Sequence, residues 1–473
     1  MKEYLDEFMY NENVQLLRRE DYEFTSGCRN QILASFLASL MSFASGTVVA
    51  VFSDTKVYKD DNEIIIINEE QYFWIISSCM LGAFFGSIQA GVWSQMFGPK
   101  KLLLWLSAPM ICGWLFILLN MNNVIYIYVG RLICGFSLGA ASVVIPLYSH
   151  DVSSVALKGR TGVFFNFMSC AGILFTYITR SFWTGLQESI VILAIIPFVF
   201  VAIFSWMPES PTYLYCNGQY YKAIKALRWL RGNYFNIKKE FSQYEICQFD
   251  TIKFQMNFNL AYDRQITNKV ILISFGLVLI QKLTGVIGLL HYTVIFFEVS
   301  KIDTDIYMTS IVFGVFQLTA SWIAFLLIDK VGRRTLLLIS SFICTICLAI
   351  ISIYLYLLAD DESVDFVWRS LFFIIVCGLI SAFQIGLGPI PWFIVTEILP
   401  SKKAAHVQSM AVSFSWLLSF LILMFFQFFI KNYASVMWLT FTIFSAIGFL
   451  FIALFVPETN NRNHEQIEAE LFL

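Results

Sequence analysis

The sequence predicts an all-α membrane protein of about twelve transmembrane helices, arranged as two six-helix bundles with cytoplasmic helices between the halves. Three observations predict this. Of 473 residues, 58% are hydrophobic and only 14% charged, whereas a soluble domain carries nearer a quarter charged residues. Apolar stretches long enough to cross a ~30 Å hydrocarbon core recur along the whole chain. Paired punctuating motifs then repeat in the same order in the two halves, as in proteins built from duplicated membrane units. The 48 phenylalanines favour lipid-facing helices, because a polar-lumen barrel would alternate every second residue.

The expected spans are 29–52, 72–94, 101–121, 125–149, 159–180, 187–207, 269–297, 305–328, 335–358, 366–396, 403–429 and 433–456. They divide the chain into an N-terminal segment 1–28, a first bundle 29–208, a connector 209–268, a second bundle 269–457 and a short tail 458–473. The first span follows a polar segment without a small-residue cleavage site, so a removable signal peptide is not expected. Lys100-Lys101, Lys158 to Arg160, the connector, Lys330 to Arg334 and Lys402-Lys403 hold most of the basic residues, while 59–63 and 359–365 are acidic. Basic loops face the cytoplasm. Both termini are therefore expected inside, and the connector is expected to carry short amphipathic helices on that face.

Most of the ten cysteines lie within spans, where they behave as small apolar residues rather than a disulfide framework. Four scattered histidines make no metal set. There is no phosphate loop, dinucleotide fingerprint or nucleophile elbow. The reading is therefore not an enzyme, with no cofactor, no nucleic-acid partner and no evident obligate protein partner.

The repeated punctuation is specific. Gln95-Met96-Phe97-Gly98-Pro99-Lys100-Lys101 after the second span answers Asp329-Lys330-Val331-Gly332-Arg333-Arg334 after the eighth. Pro146 to Asp151 after the fourth answers Trp392 to Pro400, with Glu397, after the tenth. Met207-Pro208-Glu209-Ser210 answers Val456-Pro457-Glu458-Thr459. Two such halves around a midplane site are a transporter layout.

With Gly130-Arg131, PESPTYL at 208–214, LRG at 230–232, GLGPIPW at 386–392 and VPETN at 456–460, these motifs closely resemble the sugar porters of the major facilitator superfamily. The likeness covers nearly the whole chain and is nearest to the insect facilitated trehalose and glucose carriers. It implies alternating access between two bundles, with the sugar held mainly by the second. It also implies a plasma-membrane location.

The physics of the motifs is legible beside the resemblance. Gly332 permits a tight turn, and Arg333 and Arg334 can reach helix carboxyl ends, lipid phosphates or Glu397. Such contacts form in one global state and break in another, as a gate requires. An arginine in a cytoplasmic turn can also serve topology alone. The gating and structural set is Arg131, Asp151, Glu209, Asp329, Gly332, Arg333, Arg334, Glu397 and Glu458. The first-half copy is poorer: Gln95 stands for an acid, and Pro99 interrupts the basic pair. Pro389 and Pro391 with Gly386 and Gly388 allow a helix to bend around substrate.

The resemblance implies a sugar-contact set of Asn166, Gln281, Lys282, Tyr292, Gln317, Phe383, Gln384, Trp392, Ser415 and Trp416. Neutral amides and hydroxyls both orient a sugar and are easily rehydrated, and indole faces suit its C–H surface. Isolated polar residues can instead pack helices together. Lys282, Ile287, His291 and Ser415 depart from the family's usual residues. Lys282 is expected about thirteen residues from either end of its span, roughly 20 Å along a helix. Facing lipid there would cost roughly 2.5–3.5 kcal/mol, so it is placed in a polar cavity against the amide oxygens of Gln281, Gln317 and Gln384.

Two functions follow: a facilitative carrier of a sugar, polyol or sugar acid, or a non-transporting sensor on the same fold. Few residues follow Pro457, which favours transport over the long-tailed sensors.

Proton-linked sugar porters resemble one another in an aspartate of the first span, yet 42–52 contains no carboxylate, the usual proton carrier in a buried path. A neutral sugar should therefore move downhill and without net charge. Liposomes given an imposed pH gradient test this, and concentrative uptake would contradict it.

Overall fold

The computed structural model describes residues 20–53, 69–183, 185–232, 241, 260–300, 306–360, 366–399, 401–460, 462, 466–467 and 470. The first bundle comprises α1 (Glu20–Ala38), α2 (Leu40–Ala50), α3 (Glu69–Phe97), α4 (Pro99–Leu119), α5 (Val124–Val152), α6 (Lys158–Phe182) and α7 (Leu186–Phe204). Two short helices follow, α8 (Pro211–Cys216) and α9 (Tyr220–Arg231). The second bundle comprises α10 (Leu260–Leu283), α11 (Val286–His291), α12 (Thr293–Val299), α13 (Ile306–Val331), α14 (Arg333–Asp360), α15 (Phe366–Ile385), α16 (Ile394–Ile398), α17 (Ser401–Asn432) and α18 (Ala434–Phe455). Both acidic loops, most of the N-terminal segment and much of the connector and tail lie outside the described residues.

Eleven candidate membrane spans are found among the described residues. The seventh crossing completes twelve and runs as three helices in series, α10, α11 and α12. Within the first bundle α5 is the central helix, packed by α3 and α4. Glycine makes this approach possible: a side chain at Gly135 or Gly139 would meet the carbonyls of Cys79 and Ala83 at 2.1 and 2.0 Å. Small residues let membrane helices approach to backbone contact.

The two bundles meet along α3 against α17 and α6 against α13. At the first seam the Gly91 N–H donates to Ser409 Oγ at 2.7 Å and Ser87 Oγ to Ser413 Oγ at 3.0 Å. These are short side chains hydrogen-bonded where lipid cannot reach, so the seam is polar without a buried charge.

Two expected spans of the second bundle are not continuous helices. The segment 269–297 breaks at Thr284-Gly285, where Gly285 takes φ +71° and a side chain would strike the Phe441 ring at 2.5 Å. It breaks again at Tyr292. The segment 366–396 ends its helix at Ile385 and passes through a 3-10 turn, Ile390–Trp392, before α16. Pro389 and Pro391 cannot donate to a helical ladder, and the chain leaves it there.

Helix α9 buries Ala223, Ala226, Leu227 and Leu230, a spacing that lines one helical face. Its last carbonyls are met by α1: Asn30 Nδ2 donates to Trp229 O at 2.7 Å and Gln31 Nε2 to Leu230 O at 3.3 Å. Orphan carbonyls at a helix end need such partners.

Candidate functional site

The basic end of the molecule carries two versions of one device. In each half, a glycine of positive φ, Gly98 at +91° or Gly332 at +94°, starts a helix whose first N–H groups are capped by a distant glutamate. Glu209 accepts from the N–H groups of Lys100 at 2.8 Å and Lys101 at 3.3 Å. Glu458 accepts from those of Arg333 at 2.9 Å and Arg334 at 3.1 Å. A carboxylate at a helix N-terminus meets both orphan donors and the positive dipole end. Burial pushes the Glu209 carboxyl above the usual carboxylate range, and the backbone donors of Lys100, Ser210 and Lys101 pull it back.

The basic side chains of the two copies act alike in part. Lys100 Nζ donates to Ser205 O at 2.7 Å at the end of α7, and Arg334 donates to Ala453 O near the end of α18. Both place a cation at a helix C-terminus. Arg333, however, has no counterpart, because Pro99 occupies the position after the first-half glycine.

The Arg333 guanidinium is 2% exposed and is the hub of the basic end. It donates to Glu397 through Nη2 at 2.8 Å and Nε at 3.2 Å, and to Asn460 Oδ1 at 2.6 Å. Asp329 lies 3.3 Å from Nη2 and also pairs with Arg160 of the other bundle at 3.2 Å. Thr459 Oγ1 donates to Glu397 Oε2 at 2.6 Å. Of the gating set, the structure thus gathers Asp329, Gly332, Arg333, Glu397 and Glu458, with Arg334 adjacent on the end of α18. Asp151 accepts from Ser210 Oγ at 2.6 Å beside Glu209.

Arg131 does not join them. It is fully buried, donating Nε to Ile75 O at 3.0 Å and Nη1 to Val48 O, with its guanidinium 5.2 Å from the centre of the Phe52 ring. It ties α2, α3 and α5 together within the first bundle. Near it, Tyr72 Oη donates to His291 O at 3.2 Å, a bridge between bundles at the end opposite Arg333.

At mid-depth a third bridge crosses the bundles. Asn166 Nδ2 donates to Gln384 Oε1 at 2.7 Å and to Ser321 Oγ at 3.2 Å. Trp416 Nε1 donates to Ser142 Oγ at 3.1 Å. The Trp392 ring lies against Phe165 at 5.2 Å and Trp416 at 5.8 Å. Gln317 and Ser415 are buried here, and among the described residues neither side chain has a hydrogen-bond partner. Buried amides left open are costly unless a ligand or water meets them.

Lys282 departs from expectation twice. The break at Gly285 puts it in the last turn of α10 rather than mid-helix, where the carboxyl end of the helix favours a cation. Its neighbours are not amide oxygens: Nζ lies 5.4 Å from the Trp392 ring and 5.3 Å from the Trp416 ring. Gln281 is turned elsewhere, donating to Leu387 O at 2.8 Å and Gly388 O at 3.0 Å, carbonyls freed by the break after α15. Gln384 is committed to Asn166. Tyr292 stacks on Phe426 at 5.5 Å and donates to Leu423 O at 3.4 Å, on the side of the break toward Tyr72. Phe383 stands half-buried beside Gln384, its carbonyl accepting the Gly388 N–H at 2.7 Å.

Sequence reasoning missed several partners. Arg160 reads as one more loop cation, yet it makes the ion pair between bundles. Ser142, Ser321 and Tyr72 carry no motif, and their roles come from where the bundles touch. Thr459 and Asn460 directly follow the quoted Glu458 and could have been suspected from that adjacency.

Residues 10–471 match the family described as "Sugar (and other) transporter". The chain belongs to that sugar transporter family. Among its relatives, the facilitated trehalose transporter Tret1 of Bombyx mori is 32% identical over 451 residues, covering 93% of this chain and 86% of the relative. Tret1 of Apis mellifera ligustica is 30% identical over 443 residues, covering 93% and 87%. The fold matches the proton:xylose symporter XylE bound to 6-bromo-6-deoxy-D-glucose with a TM-score of 0.80. That match covers 95% of this chain and 100% of the symporter at 20% identity. The chain is therefore a multi-pass membrane transporter of the major facilitator fold and not an enzyme.

In this sugar transporter the two copies of the basic-end device should respond differently to truncation. Replacing Lys100 and Lys101 with alanine leaves their N–H groups on Glu209, whereas replacing Arg333 and Arg334 removes the hub itself. Cysteines placed along the central path should become more accessible from the basic end in the arginine variant. The lysine variant should change them little. Equal shifts in both would remove the asymmetry.

Proposed function

We propose that this chain is a facilitative transporter of a hexose or a trehalose-like disaccharide, a uniporter of the plasma membrane that works by alternating access. Residues 29–208 and 269–457 are the two moving bodies, 209–268 is the intracellular connector, and both termini face the cytoplasm. Its substrate is a small sugar, and it acts in the bilayer without nucleic acid or an obligate protein partner.

The observation that carries this reading is the mid-depth polar bridge. Asn166 of one bundle and Gln384 of the other are hydrogen-bonded at 2.7 Å, beside the open Gln317 and Ser415. Amides and a hydroxyl in this position can exchange partners with sugar hydroxyls as the bundles separate. Trp392 and Trp416 add apolar faces, and Phe383 and Tyr292 bound the site. The names of the relatives, facilitated trehalose transporters, agree with a downhill sugar carrier. Ties at the basic end through Arg160 and Asp329, and at the other end through Tyr72 and His291, are the contacts that would open in turn.

Purified protein in liposomes should equilibrate at least one labelled sugar from a panel of hexoses, trehalose, polyols and sugar acids. Gln384→Ala should slow uptake about tenfold, the effect of losing one buried hydrogen bond worth about 1.4 kcal/mol. Folded wild-type protein that moves no member of the panel would overturn the reading.

A further inference from the structure

The transport path holds a cation that its surroundings do not satisfy. Lys282 is 6% exposed, and among the described residues its ammonium has no hydrogen-bond acceptor. The two indole faces beside it, at 5.4 and 5.3 Å, attract a cation but offer no lone pair. Among the described residues no carboxylate is paired with it. Every aspartate and glutamate of the described spans lies in a terminal turn; at the basic end Asp329 and Glu397 are engaged with Arg333 and Arg160, and Asp151 with Ser210. Arg131, two turns into α5, adds a second interior cation, with one guanidinium nitrogen lacking a partner among the described residues. Lys282 and Arg131 are thus two buried cations that no carboxylate meets among the described residues.

The same arrangement works against a neutral sugar. Trp392 and Trp416 would stack on its ring, but the ammonium already lies over both faces. Hydroxyl dipoles replace that attraction poorly. A carboxylate satisfies the ammonium directly with a charge-assisted hydrogen bond, and it frees the indoles for the sugar ring. Gln317 and Ser415, buried and open, remain for hydroxyls.

From this geometry we propose that the substrate is a sugar acid, a polyhydroxylated ring or chain bearing one carboxylate, anchored by Lys282. This rests on the sugar-transport reading above and narrows its substrate class. A carried uronate moves one negative charge per cycle when no other ion accompanies it. Its uptake should then be faster into liposomes held positive inside.

The test compares D-glucuronate with D-glucose on the purified full chain, by equilibrium binding and by liposome uptake. Wild type should prefer glucuronate about tenfold or more, the scale of one charge-assisted hydrogen bond. Lys282→Arg should keep the preference, and Lys282→Gln should lose or reverse it while melting like wild type. If Lys282→Gln does not fold, the wild-type and arginine proteins still report the preference. Glucose binding with no competition from glucuronate would overturn the proposal and leave sugar transport standing. A preference unchanged by Lys282→Gln would also overturn it. Neither ligand binding or moving, with the wider sugar panel inert, would remove both readings.

Discussion

Arg333 sits almost wholly out of water, and a guanidinium so placed is tolerated only when its donors are met. Glu397 takes two of them, Asn460 a third, and Asp329 lies against the same nitrogen. Much else at the basic end follows. The turn at Gly332 must be tight enough to present the side chain inward, and Glu458 fixes that turn by capping the helix that Arg333 begins. Asp329, held by Arg333 on one side, is left free on the other to meet Arg160 across the bundle boundary. Removing one partner of a buried ion pair typically costs about 3–5 kcal/mol, so the cluster is stable as a whole and sensitive to loss of any member.

The centre of the molecule follows a different constraint, the need to satisfy backbone groups inside lipid. Breaking α10 at Gly285 and α15 at Ile385 frees carbonyls that hydrocarbon cannot hydrate. Gln281 answers two of them, at Leu387 and Gly388, which joins the two breaks to each other. Because Gln281 is used in this way, its neighbour Lys282 lies against indole faces rather than amides. The breaks therefore create both the polar site and the unmatched charge within it.

Much of this was legible in the sequence. The twelve crossings and the two-fold repeat follow from apolar length and paired punctuation. The Arg333–Glu397 contact follows from a turn motif and an acid recurring at fixed places. What was not legible depends on three-dimensional neighbours. The break at Gly285 requires the Phe441 ring to occupy the space a side chain would need, and glycine in a membrane helix does not by itself announce a break. Arg160 could not be told from an arginine kept for topology. Asn166 was expected in the site, but its bond to Gln384 depends on how the bundles are set against each other.

The central claim is that the ion pair between Arg160 and Asp329 couples the Arg333 cluster to the opposite bundle and holds the basic end closed. Spin labels at the exposed positions Val155 and Val331, one on each bundle at that end, would report their separation in lipid nanodiscs. The account predicts one short distance in the otherwise wild-type protein. In Arg160→Ala it predicts an added population at longer distance. An unchanged distance distribution in Arg160→Ala would contradict it.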